Sequence, residues 1–549
     1  MSISDHEVGE STTPPEAPVT VPPSPPGRVR PAYVAALILA ASFGLRVWLA
    51  GSLDLQKDET AYWAWSHDLD AAFALLPLAA IRASCALFGD TAWAVRLPFL
   101  LAATGAAWGA WSFVRATGAP GTIAAWTVAL FSFNLWFHFA GAQAHPDAFL
   151  AFFWMASLTS LAISSREERK NRTAWLYAGA ALAAGAACSK YTGFLLWPGW
   201  LLAEFLAGSG RAHPWKQSGI ASLFWIALTA PAIAAIAATD GEPVRMALAL
   251  SDLSERLSPA ARLMALPAAP FLVLLSPSLA VWAAGLLRAA RAQGGPDARY
   301  ARLTMPTAAA LVAVALKGSV KGNWALPVFW GTIHAGVAWF RSSVWGRRWL
   351  WALTLSGVAV VAGLQVALLA PDRFLGALGQ VPRFASIDST YAWTASTEEL
   401  EHASARRWSD RIYDPHGQRA TAESTAVRAA AWGSDAVVMS DLYEVVYRTK
   451  FYDRRRRVLL VGDSRFRHVP EHRVAGQPLP DRALYVTQPG SNLPEEFFTW
   501  YGFLERQRPM RVPLGPSAAT FIGPELSPLD RMRARRYDVW RCARVDTGP

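Results

Sequence analysis

Charge is scarce in this chain. Asp, Glu, Lys and Arg make up 17% of its 549 residues, against about 25% in soluble domains, which excludes a single soluble globule. Cysteine is scarcer still. Cys85, Cys188 and Cys542 are the whole complement, and their spacing excludes a disulfide framework and a cysteine-based metal site. From Pro371 onward a Gly-rich phosphate loop, a serine nucleophile elbow and a metal signature are also missing. No internal repeat is visible. The first apolar run, Ala32 to Leu53, is too long for a cleavable signal peptide.

Apolar length is what the chain has. Hydrophobic residues reach 53%, and 26 residues are Trp, a type that gathers at membrane–water interfaces. Blocks of about 20 apolar residues, enough to cross a bilayer, fill the chain as far as about Ala370. The expected fold is a polytopic α-helical membrane protein of about eleven transmembrane helices with a C-terminal soluble α/β domain. Residues 1–30 are proline-rich and read as a disordered cytoplasmic tail. Residues 31–370 form the membrane domain, with an outer-face loop at 54–91, and residues 371–549 form the outer domain.

After the first run, spans are expected near 92–114, 121–141, 146–164, 173–188, 190–207, 218–238, 263–287, 304–316, 323–340 and 350–370. The segment Phe73 to Phe88, with Arg82 in its middle, reads as interfacial helix on the outer leaflet. The net charge of +11 is a topology signal rather than a nucleic-acid signal. Arg115, Arg166, Arg169, Lys170, Arg172, Arg211, Lys216, Arg288, Arg291, Arg299, Arg302, Arg341, Arg347 and Arg348 all fall in loops this arrangement assigns to the cytoplasm. An odd number of spans then puts the 54–91 loop and the C-terminal domain together on the outer side. In that domain Val437–Met439, Val458–Val461 and Ala483–Val486 read as strands and Ala420–Trp432 as a helix.

Charges at a membrane edge are costly and tend to be functional. Asp58-Glu59, followed by the aromatic run Tyr62-Trp63-Ala64-Trp65, lies just past the first span. His145-Pro146-Asp147 opens a later span, Ser189-Lys190-Tyr191 occupies a tight outer turn, and Lys317 and Lys321-Gly322-Asn323-Trp324 precede another. Each group has a structural alternative: Asp58, Glu59 and Asp147 at helix starts, Lys190 and Lys321 reaching for headgroups, the aromatics in an interfacial belt. Their placement on one side favours joint use. A partly buried carboxylate there serves as general base, and lysines hold a lipid phosphate as point charges.

Asp58-Glu59-Thr60-Ala61-Tyr62-Trp63-Ala64-Trp65-Ser66 resembles the acidic first-loop motif of the GT-C glycosyltransferases. Phe88-Gly89-Asp90 with Val95-Arg96-Leu97-Pro98, Pro146-Asp147, Cys188-Ser189-Lys190-Tyr191-Thr192-Gly193, Lys321-Gly322-Asn323-Trp324-Ala325-Leu326-Pro327 and Asp441-Leu442-Tyr443-Glu444 with Phe451-Tyr452 resemble further segments, in order, of glycosyltransferase family 39. That group holds the protein-mannosyltransferase-like enzymes and, as relatives, the lipid A aminoarabinose and galacturonic acid transferases. One departure stands out: where many relatives carry a His-Pro-Pro-Leu-like segment, this chain reads Leu75-Leu76-Pro77-Leu78.

The resemblance implies inverting transfer of a sugar from a polyprenyl-phosphate donor to a hydroxyl of a lipid, glycan or protein, on the outer face of a bacterial cytoplasmic membrane. Asp58 is then the candidate base. Glu59 positions the acceptor or the loop. Asp147, His145, Lys190, Tyr191, Lys321, Asn323, Trp324 and Arg82 are candidates for substrate binding, the lysines for the leaving phosphate. No cofactor is expected, and a divalent metal, though possible, is not called for. Two other classes remain. A secondary transporter would favour repeats and a midplane site. A membrane-anchored scaffold would not need Asp58.

Overall fold

The structure, a computed structural model, describes residues 30–53, 55–67, 74–166, 169–207, 213–238, 278–292, 295–317, 322–369, 425, 428–431, 436–452, 457–461, 479–487, 493, 497, 501, 503–507, 510–513 and 534–543. Helix α1, Pro31–Ser52, begins on Pro31, whose missing amide costs nothing at a helix start. α2, Lys57–His67, opens on Asp58 and Glu59, where the helix dipole favours negative charge. α3, Leu75–Phe88, stops at Gly89, which takes a positive φ of 74°. α4, Ala92–Ala116, is capped by the Thr91 hydroxyl, which accepts from Ala94 N at 3.1 Å.

α5, Gly121–Ser132, and α6, Leu135–Ala142, form one apolar stretch bent by 65°. The break falls at Asn134, whose side-chain oxygen caps α6 by accepting from Phe137 N at 3.3 Å. α7, Asp147–Arg166, runs away from this end of the bundle, and α8, Arg169–Ser189, returns to it. The chain then turns through a 3-10 segment, Tyr191–Leu195, into α9, Leu196–Leu206. A Cβ at Gly193 would collide with the Ala186 carbonyl, so only glycine lets this turn sit so close to α8. α10 is Trp215–Ala238, α11 Ser278–Arg291, α12 Gly295–Leu303 and α13 Met305–Lys317. Short turns at Gly322–Ala325 and Pro327–Trp330 lead to α14, Ile333–Arg341, and α15, Val344–Leu369.

Alanine allows α4, α7 and α8 to approach closely: Ala106, Ala107, Ala110, Ala151, Ala180 and Ala183 are buried together. Trp154, Trp197, Trp200, Trp282 and Trp330 fill the wider spaces. Outward-facing residues are apolar too, among them Leu37, Leu101, Leu223 and Trp345, as lipid contact requires. At the end of the bundle reached by the C-terminus of α7, arginines satisfy backbone carbonyls left open where helices stop. Arg115 donates to Ala119 O at 2.6 Å, Arg166 to Ala116 O at 3.0 Å, Arg302 to Leu206 O at 3.1 Å and Arg347 to Arg341 O at 3.2 Å.

The C-terminal third contains a mixed sheet. Strands β1 (Val437–Ser440), β2 (Val458–Leu460), β3 (Arg482–Thr487), β4 (Phe503–Arg506), β5 (Met510–Pro513) and β6 (Ala534–Ala543) take the order β2-β1-β3-β6-β4, with β5 also on β6. β1 is parallel to β2 and β3, and β6 is antiparallel to β3, β4 and β5. Helix α16, Tyr443–Tyr452, follows β1. Its Val445, Val446 and Tyr447 share one apolar core with Ala61, Trp63, Trp65, Leu78 and Val95 of the membrane domain.

The described residues cover only part of the expected spans. Among the described residues five helices are long and apolar enough to cross a membrane: α1, α4, α7, α10 and α15, with the bent α5–α6 pair as a sixth. α8 is long enough but starts on Arg169, Lys170 and Arg172. The expected span at 190–207 opens on a 3-10 segment, and that at 323–340 opens on another and is interrupted again at Gly331-Thr332. Of the expected span 263–287 only α11 lies within the described residues, as does only part of the helix expected at Ala420–Trp432. α3 has 14 residues, about 21 Å at 1.5 Å per residue, too short for a core of about 30 Å and long enough for the interfacial role expected of it. β4, β5, β6 and α16 were not foreseen.

Candidate active site

Two buried clusters meet at the end of the bundle where α1 stops and α7 begins. The first forms around Glu59. Its carboxylate is 2% exposed and accepts four hydrogen bonds. Arg96 Nε reaches Oε1 at 2.7 Å and Arg96 Nη2 reaches Oε2 at 2.6 Å. Gln56 N adds a bond to Oε2 at 2.7 Å and Ala144 N one to Oε1 at 2.8 Å. Arg96 Nη1 donates to Ala50 O and Leu53 O, both at 2.6 Å. A buried ion pair is tolerable only when the remaining donors and acceptors are satisfied, and here they are. The pair ties the end of α1, the first turn of α2, the start of α4 and the segment before α7 into one unit. Asp58 occupies the same first turn, half-buried.

The second cluster forms around Asp147, also 2% exposed. It pairs with Lys190 through Oδ1. Its Oδ2 accepts from Trp136 Nε1 and from Asn323 Nδ2, each at 2.7 Å. His145 Nδ1 lies 3.4 Å from Oδ2 and 3.3 Å from Asp147 N. Tyr191 is half-buried beside Lys190, within electrostatic reach of Asp147. The cluster draws on α6, the start of α7, the turn after α8 and the turn before Pro327, so residues 136, 145, 147, 190 and 323 converge from four parts of the chain. Ala144 and Asp147 belong to one short segment, so the two clusters share a backbone link.

Aromatic residues of α2 face the sheet. Trp65 Nε1 donates to Tyr447 Oη at 3.1 Å, and Trp63 meets Phe451 edge-on with ring centres 4.9 Å apart. Trp63 Nε1 donates to Asp90 Oδ1 at 2.9 Å.

The expected residues divide accordingly. Asp147, His145, Lys190 and Asn323 bond to one another, with Tyr191 next to them. Trp324 is half-buried on the same turn as Asn323 and packs beside Leu311, Ala325 and Val328. Glu59 is fully engaged in holding the loop. Arg82 is exposed on α3 and bonds to neither cluster. Lys321 lies outside the described residues. Leu75-Leu76-Pro77-Leu78 forms the first turn of α3, with Pro77 and Leu78 buried. Arg96 belongs to the Val95-Arg96-Leu97-Pro98 segment of the resemblance, which gives it no role, and neither Trp136 nor the Ala144 amide is marked by the sequence. An arginine within an otherwise apolar helix was the available signal for Arg96, whereas Trp136 could not be told from the other tryptophans. Among the described residues no group of three or more His, Cys, Asp or Glu is placed to hold a metal ion.

Residues 73–236 match the family model described as dolichyl-phosphate-mannose-protein mannosyltransferase. No protein of curated function matches the sequence. The fold is similar to that of ArnT from Cupriavidus metallidurans in the apo state, with a TM-score of 0.56, 16% identity, and 93% of this chain and 98% of that chain covered. ArnT from the same organism bound to undecaprenyl phosphate also gives 0.56 and 16%, with 95% and 100% covered. The chain thus has the GT-C, protein-mannosyltransferase-like fold of a multi-pass membrane protein, and with the family match it is marked as a glycosyltransferase.

Proposed function

We propose that this chain transfers a sugar from a polyprenyl-phosphate donor to a hydroxyl acceptor, with inversion, at the outer face of a bacterial cytoplasmic membrane. The observation that carries this is the joining of a carboxylate–lysine–asparagine–histidine cluster to the loop that presents Asp58. Glu59 is saturated by Arg96 and two amides in holding the loop, and Asp58, half-buried in the same first turn of α2, is the carboxylate of the pair assigned here as the base. Support for the donor class comes from the fold shared with a protein that binds undecaprenyl phosphate.

In this reaction the acceptor oxygen attacks the anomeric carbon, the bond from that carbon to the phosphate oxygen breaks, and the hydroxyl proton passes to Asp58. The donor phosphodiester carries one negative charge and the departing monophosphate carries up to two. The site must therefore stabilise charge that grows during transfer. Lys190 is a fixed cation suited to that, and Asn323 supplies an amide donor beside it. Asp147 holds both in place through its two oxygens. In this reading the sheet and α16, whose Tyr447 and Phe451 contact Trp65 and Trp63 of α2, lie on the periplasmic side with the Asp58 loop and select the acceptor, whether lipid, glycan or protein.

The test is reconstitution of the purified full chain with labelled polyprenyl-phosphate sugars and a panel of outer-membrane lipid and peptide acceptors. Wild type is expected to transfer, and Asp58→Asn to lose about 10²- to 10⁴-fold with an unchanged melting temperature. Equal transfer by both proteins would remove Asp58 from the base role. Flux of a polar solute through vesicles without transfer would favour the transporter.

A further inference from the structure

A second feature lies at the opposite end of the bundle. Ser164, near the end of α7, meets His213 Nε2 at 2.7 Å, and Glu204 accepts from His213 N at 3.1 Å. Glu204 of α9 and His213, just before α10, therefore lie far from Asp147, which begins α7. Beside them α9 and α10 leave a groove of about 450 Å³ lined by Leu201, Leu202, Phe205, Trp215, Ser218, Gly219 and Ser222. Its walls are almost wholly apolar, and Phe205 and Trp215 are exposed at its rim. A Cβ built on Gly219 would meet no atom within 4 Å, so the floor there is open.

Two observations point to an occupant. Ser218 lines the groove, is 1% exposed, and its hydroxyl has no hydrogen-bond partner among the described residues. A buried hydroxyl without a partner is destabilising unless a ligand supplies one. The groove also has a charged end. Lys216 is exposed in the first turn of α10, where the dipole of a 24-residue helix is positive, and Arg302 reaches Leu206 O, one residue from Phe205. The other end, at Leu201, Leu202 and Ser222, carries no charge.

We propose that this groove holds an anionic glycerophospholipid of the leaflet opposite the Asp147 cluster. One acyl chain lies between α9 and α10, the glycerol ester oxygens meet Ser218, and the phosphate sits at Lys216 and the positive end of α10. α10 is long and apolar enough to cross a membrane and α9 packs beside it with Phe205 exposed, so the medium against the groove is lipid, and the cations at one end select negative headgroups. A zwitterionic lipid would fill the apolar part equally but gain less at Lys216. The site is separate from the transfer site.

The experiment uses the full chain in nanodiscs of phosphatidylcholine doped with a photoactivatable phosphatidylglycerol, followed by peptide mapping. The expected adducts fall within residues 201–222, and unlabelled phosphatidylglycerol competes with them better than unlabelled phosphatidylcholine does. Lys216→Gln should reduce that preference about fivefold, the factor matching about 1 kcal/mol per basic residue at a lipid surface. Gly219→Trp, which fills the floor, should abolish labelling. Adducts spread evenly over the membrane segments, equal competition by both lipids, or unchanged labelling of Gly219→Trp would each overturn the proposal. Labelling of wild type alone decides the first two outcomes, so they do not depend on a variant folding.

Discussion

The guanidinium of Arg96 grips Glu59 through two nitrogens, Nε on one carboxylate oxygen at 2.7 Å and Nη2 on the other at 2.6 Å, and both side chains are almost completely buried. Such a fork-to-fork pair fixes direction as well as distance. Lysine cannot reproduce it, because a point charge lacks the second parallel bond and cannot also reach Ala50 O and Leu53 O.

Arg96→Lys is therefore expected to destabilise the fold although it keeps the charge. Arg96→Met should cost more, about 3–5 kcal/mol, since it leaves the Glu59 carboxylate buried and unpaired. Thermal unfolding in detergent measures both. Combined with Glu59→Gln, Arg96→Met should cost less than the two single changes added together, because the partners share one interaction.

Lys190 and Asp147 make a different prediction. Lys190→Met removes the cation proposed to receive the leaving phosphate, and its effect should fall on kcat, by about 10²- to 10³-fold, as for loss of one group that stabilises developing charge. Asn323→Ala should act in the same direction but less, because it removes a neutral donor. If Lys190→Met raised KM alone and left kcat intact, the lysine would bind the ground state and not the transition state.

How much of this was legible in the sequence depends on where each partner lies along the chain. Asp58 and Asp147 stand out because carboxylates at the ends of apolar runs are rare. Arg96 did not stand out as a partner, since Glu59 is 37 positions away and nothing local connects them. The turn at Lys190 was legible as a break between two apolar stretches. The bend at Asn134 was not, because a single capping asparagine inside a 121–141 apolar run leaves its periodicity intact. The parallel strands β1, β2 and β3 show as short apolar runs, as buried parallel strands do. β6 carries Arg535, Arg536, Asp538 and Arg541, and that charge hides a strand that pairs with three others.

The contact between α2 and α16 couples the sheet to the acidic loop. Tyr447→Phe removes the acceptor for Trp65 Nε1 and should cost about 0.5–1.5 kcal/mol. Phe451→Ala empties the space against Trp63 and should cost about 3–5 kcal/mol if the site cannot collapse. Limited proteolysis should then release the C-terminal third sooner in Phe451→Ala than in wild type, with the membrane helices left intact. Equal release rates would mean that the sheet is held elsewhere.

The sheet carries its own reporter. Cys542 lies on β6, opposite Ala483 of β3 and Leu504 of β4, and packs with Val437, Met439 and Tyr485. Burial pushes its thiol up to about 12, so the native thiol stays protonated and shielded at pH 8. In a variant with Cys85 and Cys188 replaced by alanine, maleimide should therefore label Cys542 only as the sheet opens, with the same midpoint as loss of strand signal. The sign of the pH effect follows. The unfolded thiol ionises near 8.5 while the folded one does not, so ionisation favours the unfolded sheet. Its stability should fall as pH rises from about 8.5 toward 12, and Cys542→Ala should remove that part of the pH dependence while leaving its own cavity cost at every pH.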